Sequence, residues 1–186
     1  SLGKSTLLKL VTGILPLQQG MLNIDGIAIN EYESMALHKR IAYIPQNGQL
    51  YQGTILENLT LFDEQNITKA IEWIKLFQCE DKIHALPQGY ETIVEKSISQ
   101  SIPSSLKQII IFIQRLVYDP DIILFDEANQ SVDLETDKKM IELLARLKGE
   151  KTIIAVSHRP SLINLADQKF KIKGKKIVEL AGGDND

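Results

Sequence analysis

A chain of 186 residues with 44% hydrophobic and 24% charged side chains has ordinary globular composition, which excludes a disordered or low-complexity protein. Its net charge of −3 excludes a general electrostatic footprint for nucleic acid or an anionic membrane. The apolar runs, such as Ile109 to Ile113, fall far short of the roughly 18 residues a membrane helix needs, and the single cysteine, Cys79, excludes an internal disulfide or a cysteine zinc site. A reducing, cytoplasmic setting fits this cysteine usage, and the chain opens on no signal peptide.

In chain order, STLLKLVTGI (5–14) reads as a helix that follows a loop, with Leu7, Leu8, Val11 and Leu15 on one face and Pro16 and Gly20 beyond its end. MLNIDGIAI (21–29) alternates around Asp25-Gly26 and predicts an edge hairpin. IAYIP (41–45) is a short buried strand. NITKAIEWIKLFQ (66–78) has helical periodicity, with Ile67, Ala70, Ile71, Ile74 and Phe77 on one side. A polar, serine-rich stretch over 95–108 precedes a helix over 106–117. IILF (122–125) is a fully apolar strand ending in Asp126-Glu127. DLETDKKMIELLARLK (133–148) is an amphipathic helix with a capping start at Asp133 or Thr136. TIIAVSH (152–158) reads as a buried strand ending in His158, and FKIK (170–173) and KIVEL (176–180) as a second edge hairpin. GGDND is expected to be a frayed tail.

Apolar strands alternating with helices predict an α/β fold: a mostly parallel sheet flanked by helices, with antiparallel edge hairpins. The polar residues of chemical interest fall at strand C-terminal ends, where open α/β sheets bind ligands. Residues 1–186 are expected to form one domain, and the mostly helical stretch 63–117 a subdomain inserted into it.

Four features could carry chemistry. Gly3-Lys4-Ser5-Thr6 is the back half of G-x-x-x-x-G-K-[ST], placed at a helix start where backbone N–H groups and the helix dipole favour phosphate. In that role Lys4 neutralises β/γ-phosphate charge and the Ser5 hydroxyl holds Mg²⁺. Asp126-Glu127 after an apolar strand can reach a Mg²⁺ shell and polarise a water. His158 and Gln46 each follow a strand. Taken singly, each has a plainer reading: an ordinary helix start, a capping acidic pair, a core or capping histidine and a loop glutamine.

Together these residues resemble the nucleotide-binding domain of an ATP-binding-cassette (ABC) transporter, over nearly all of the chain. The matching blocks are GKST (3–6), IPQ with Gln46, LPQGYET (86–92), DPDIILFDEA (119–128), SVD (131–133) and VSHR (156–159). QLYQGTILENL (49–59) and LPQGYET resemble the exporter branch, and IILFDEA the type I secretion and bacteriocin exporters. The resemblance implies a P-loop NTPase, RecA-like fold. It implies that Gly3, Lys4, Ser5 and Thr6 bind ATP phosphates, and that Ser5, Gln46 and Asp126 hold Mg²⁺. Gln46 also touches the attacking water, Glu127 is the general base, His158 contacts the γ-phosphate, and Asp133 lies across a dimer interface. The implied partners are a second nucleotide-binding domain, in a homo- or heterodimer, and the exporter's transmembrane domain. No nucleic-acid partner is expected, and the implied location is the cytoplasmic face of the inner membrane.

The sequence departs from that family in three places. Ser1 and Leu2 stand where the loop has a glycine and usually a serine, and the strand and adenine-stacking aromatic before the loop are expected upstream. The family's L-S-G-G-Q falls on Ile102-Pro103-Ser104-Ser105-Leu106, within one residue, in a stretch without glycine. Pro103 has no N–H to offer a phosphate, and Ser104-Ser105 also fit a helix cap. Asn129-Gln130 replace small residues. These changes raise an alternative expectation, a weakly or non-hydrolytic ATP-binding or scaffold subunit of an asymmetric dimer. A soluble ABC ATPase of translation or DNA repair fits LPQGYET less well, and a P-loop kinase needs neither Gln46 nor His158.

Overall fold

The apolar run IILF lies at the centre of a parallel sheet in the computed structural model, which describes residues 3–95, 102–130, 132–174 and 176–180. Three strands pair in the order β3 (Ile41–Ile44), β6 (Ile122–Asp126) and β7 (Thr152–Val156). The register sets Ile44 beside Phe125 and Phe125 beside Ala155, so the three strands end level. Gln46, Asp126-Glu127 and His158 therefore leave the sheet along one edge, as α/β sheets require of a ligand site.

Side-chain alternation divides the core between the two faces of this sheet. Leu124 and Ile41 face one way and pack with Leu8 of the first helix, α1 (Lys4–Val11), and with Leu37 of α2 (Ser34–Arg40). Ile123, Phe125, Ala42 and Ile44 face the other way, into the larger cluster built on α6 (Ser104–Leu116). Around these lie the antiparallel hairpin β1–β2 (Asn23–Ile24, Ile27–Ala28) and a short pair of β4 (Gly53–Thr54) with β5 (Ile93–Val94). The remaining elements are α3 (Ile55–Thr60), α4 (Ile67–Leu76), α5 (Glu80–His84), α7 (Leu134–Leu147), α8 (Pro160–Ile163) and the hairpin β8–β9 (Phe170–Lys173, Lys176–Glu179). The fold is the expected α/β one, a parallel sheet flanked by helices with antiparallel hairpins. Within 63–117 lie α4, α5, β5 and α6, and β5 pairs back to β4 outside that stretch.

Several expected elements shift. The first helix stops at Val11 rather than residue 14, because the Thr12 hydroxyl turns back to the Lys9 carbonyl and Gly13 takes φ +73°, a left-handed stop. TIIAV is a strand but not a buried one: Ile154 is 40% exposed, since β6 alone flanks β7 among the described residues. Asp133, not Thr136, caps α7, accepting from the Thr136 amide at 2.9 Å. The tail beyond residue 180 lies outside the described residues.

Helix α6 is buried on nearly every side, from Leu106 through Ile109–Ile113 to Leu116. A helix with so broad an apolar surface belongs in a core. Its two glutamines donate into the core, Gln108 to the Pro45 carbonyl at 3.3 Å and Gln114 to the Asn58 side chain at 3.0 Å, while Gln114 Oε1 is buried without a hydrogen-bond partner among the described residues. Asn58 in turn donates to the carbonyls of Tyr51 and Thr54. Gly48 lies so close to Ile111 that a Cβ there would stand 2.8 Å from it. The segment after β3 is thus fastened along α6. Phe112 anchors this helix edge-on to both Phe77 and Phe125. Phe112→Ala is expected to cost about 3–5 kcal/mol, read as a lower denaturation midpoint at unchanged slope.

Candidate functional site

The site begins at Gly3. Its φ of +78° is a left-handed conformation that glycine adopts freely, and it turns the chain into α1. Lys4, Ser5 and Thr6 form the first turn, whose leading N–H groups have no helical acceptor. Ser1 and Leu2 lie outside the described residues. Helix α1 packs across β6, which brings Ser5 to the strand end. Its hydroxyl donates to Asp126 Oδ1 at 3.0 Å, across 121 residues of sequence.

Asp126 is 5% exposed, and its second oxygen accepts from the Tyr43 hydroxyl at 2.8 Å. Burial, reinforced by the hydrogen bond to Asp126, pushes the Tyr43 phenol well above its ordinary range. Tyr43 therefore stays a neutral donor. Sequence reasoning missed it, although it is the one polar residue in the strand IAYI.

Glu127 follows the strand directly with φ +49°, a left-handed conformation rare for a residue with a Cβ. Its amide still donates to the Val156 carbonyl at 2.9 Å, so the turn begins while the sheet continues. The turn aims the carboxylate along the strand ends. Oε1 lies 3.3 Å from His158 Nε2. The His158 side chain is 70% exposed, which rules out a core histidine, and the following helix is capped at Arg159 instead.

Oε2 of Glu127 accepts from Gln130 Nε2 at 2.5 Å, and Gln130 Oε1 accepts from Gln46 Nε2. Gln46 thus meets the Glu127–His158 pair through Gln130, a residue whose replacement of a small one had no assigned consequence. Asp133 is not brought into this cluster. Its carboxyl caps α7, and the Thr136 amide holds it below the usual carboxylate range. Ser131 lies outside the described residues.

In the stretch aligned with the signature, Ile102 and Leu106 are buried and α6 starts at Ser104. The serines are not its cap. Pro103 occupies that position, without a capping hydrogen bond. The polar residues 96–101 before it lie outside the described residues.

A hydroxyl and a buried carboxylate meeting at a helix N-terminus, beside a glutamate–histidine pair at parallel-strand ends, define the P-loop NTPase class. The donor set is hard oxygen and sparse. Among the described residues no group of three or more His, Cys, Asp or Glu side chains could hold a metal by itself. That suits Mg²⁺, which keeps waters and substrate phosphates in its shell and uses one or two protein oxygens.

The comparisons with known proteins agree. The family model described as "ABC transporter" matches residues 2–130. The type I secretion system ATP-binding protein PrsD of Rhizobium meliloti is 32% identical over 167 residues, covering 89% of this chain and 28% of that protein. The transport/processing ATP-binding protein ComA of Streptococcus pneumoniae is 30% identical, covering 95% of this chain and 24% of its own length. The ABC multidrug transporter MDR2 of Trichophyton rubrum is 31% identical over 95% of this chain and 13% of its length. A solved bacterial Atm1-family ABC exporter with ATP bound superposes with a TM-score of 0.80 at 28% identity, covering 90% of this chain and 29% of that one. The chain belongs to the ABC transporter family. It spans less than a third of the length of each of these relatives. Among the described residues no helix is long and apolar enough to cross a membrane.

Proposed function

We infer that this chain is the ATP-binding and ATP-hydrolysing domain of an ABC exporter, acting at the cytoplasmic face of a membrane. The observation that carries this reading is the convergence of Ser5–Asp126 with Glu127–His158 at one sheet edge. The first turn of α1, with Gly3, Lys4 and Thr6, binds the phosphates, and Ser5, Asp126 and Gln46 hold Mg²⁺. When bound, that cation neutralises β/γ-phosphate charge. Glu127 accepts the proton of the attacking water. Its Oε1 lies 3.3 Å from His158, whose exposed imidazole contacts the γ-phosphate. Asp133, at the start of α7, lies on the face offered to a second nucleotide-binding domain. The helical stretch 63–117 acts as the inserted subdomain, and a transmembrane domain is the further partner. PrsD, ComA and MDR2 bear transport names, which supports the exporter assignment. The comparisons lend no support to the weakly hydrolytic scaffold, and the Glu127–His158 pair favours turnover.

The full-length protein that contains this chain is expected to hydrolyse ATP only with Mg²⁺ present, and Lys4→Ala to remove that activity. Phosphate release from purified protein in lipid vesicles measures it. A parent protein without Mg²⁺-dependent hydrolysis would overturn the reading.

A further inference from the structure

Gln130 has no part in the hydrolytic roles assigned above, yet its backbone and side chain are both held. The Gln130 amide donates to the Glu127 carbonyl at 3.0 Å, closing a tight turn. Asn129, 1% exposed, donates to Asp137 Oδ1 at 2.5 Å, and Asp137 pairs with Arg159 at 2.9 Å. Arg159 reaches back to the Gln130 carbonyl at 3.4 Å. The turn is thus clamped between α7 and the residue that follows His158. The side chain leaving this clamp meets Glu127 Oε2 with its nitrogen and Gln46 with its oxygen. A continuous polar chain, Gln46–Gln130–Glu127–His158, therefore spans three strand ends.

We propose that Gln130 is a positioning residue that fixes the Glu127 carboxylate plane and ties it to the placement of Gln46. A carboxylate turns easily about its last torsion, which is broad and two-fold. Held at Oε1 alone, it could swing. With Oε2 accepting from Gln130 and Oε1 set 3.3 Å from His158, one orientation is favoured. Because the same amide accepts from Gln46, displacement of Gln46 loosens the base, and displacement of the base loosens Gln46. A serine at this place would be too short to touch both. The proposal rests on the hydrolytic reading, because positioning matters only if Glu127 acts on water.

Gln130→Met keeps the side chain's length and removes both hydrogen bonds, and Gln130→Ala serves as a second variant that removes the bulk. In the full-length protein, either change is expected to lower kcat about tenfold or more while KM for ATP stays within about twofold, since small misplacement of a reacting group costs rate rather than binding. A second readout needs no nucleotide. Backbone hydrogen exchange over residues 46–50 should rise in either variant, while exchange over β7 stays as in the parent. Unchanged or raised kcat in both variants would overturn the proposal, and so would unchanged exchange over 46–50. If the parent itself does not hydrolyse ATP, the functional reading fails, and the exchange measurement still decides whether Gln130 holds Gln46.

Discussion

Glu127→Gln is expected to slow ATP turnover by about 10²–10⁴-fold, the usual contribution of a general base, while ATP stays bound. The replacement keeps the size of the side chain and removes only its ability to take a proton. Its surroundings tolerate the change. A glutamine amide still offers an oxygen to one neighbour and an N–H to the other, and Gln130 and Gln46 are amides that turn over at little cost. The left-handed φ of +49° belongs to the backbone and is indifferent to the swap. The melting temperature should therefore stay within a few degrees of the parent. Rapid-quench measurement of phosphate release, paired with retention of labelled ATP, separates the outcomes. Parent-like turnover would remove Glu127 from the role of base. Lost ATP retention would point to a binding role instead.

The core of this arrangement was legible because the chemistry sits where chain direction changes. An apolar strand needs no polar residue, so Asp126, Gln46 and His158 stand out at the ends of IILF, IAYIP and TIIAVSH. The parallel register then levels those ends, which periodicity implies but does not state. Other features were hidden for physical reasons. Helices such as α5 and α8, of five and four residues, are too short to show a period of 3.6. The exposure of β7 depends on which strands lie beside it, and local composition does not report that. Ser104-Ser105 looked like a cap because serine favours that role, but the helix begins at Ser104 itself, with Pro103 before it. Gln130 was conspicuous only as a departure, because its meaning comes from Gln46, 84 residues away.

Asp126 offers the sharpest separation of cation binding from folding. The Asp126 carboxylate, 5% exposed, has two hydrogen-bond donors, Ser5 and Tyr43, and no cationic partner among the described residues. Burying such a charge is costly, and hydrogen bonds offset that only in part. Asp126→Asn removes the charge and leaves one oxygen as an acceptor, so one of the two donors must turn away. The two effects oppose each other, and the melting temperature without nucleotide should change little. With Mg²⁺ and ATP the result should differ sharply. Ligand at 100 times its dissociation constant stabilises a folded protein by about 2.7 kcal/mol, and the variant should lose most of that gain. Tyr43→Phe supplies the contrast: it removes one neutral donor, keeps the charge, and should retain most of the Mg²⁺-dependent stabilisation. Thermal unfolding of the three proteins, with ATP and with or without Mg²⁺, makes the comparison. If Asp126→Asn keeps the full Mg²⁺-dependent gain, Asp126 does not hold the cation, and its pairing with Ser5 only fastens α1 to the sheet.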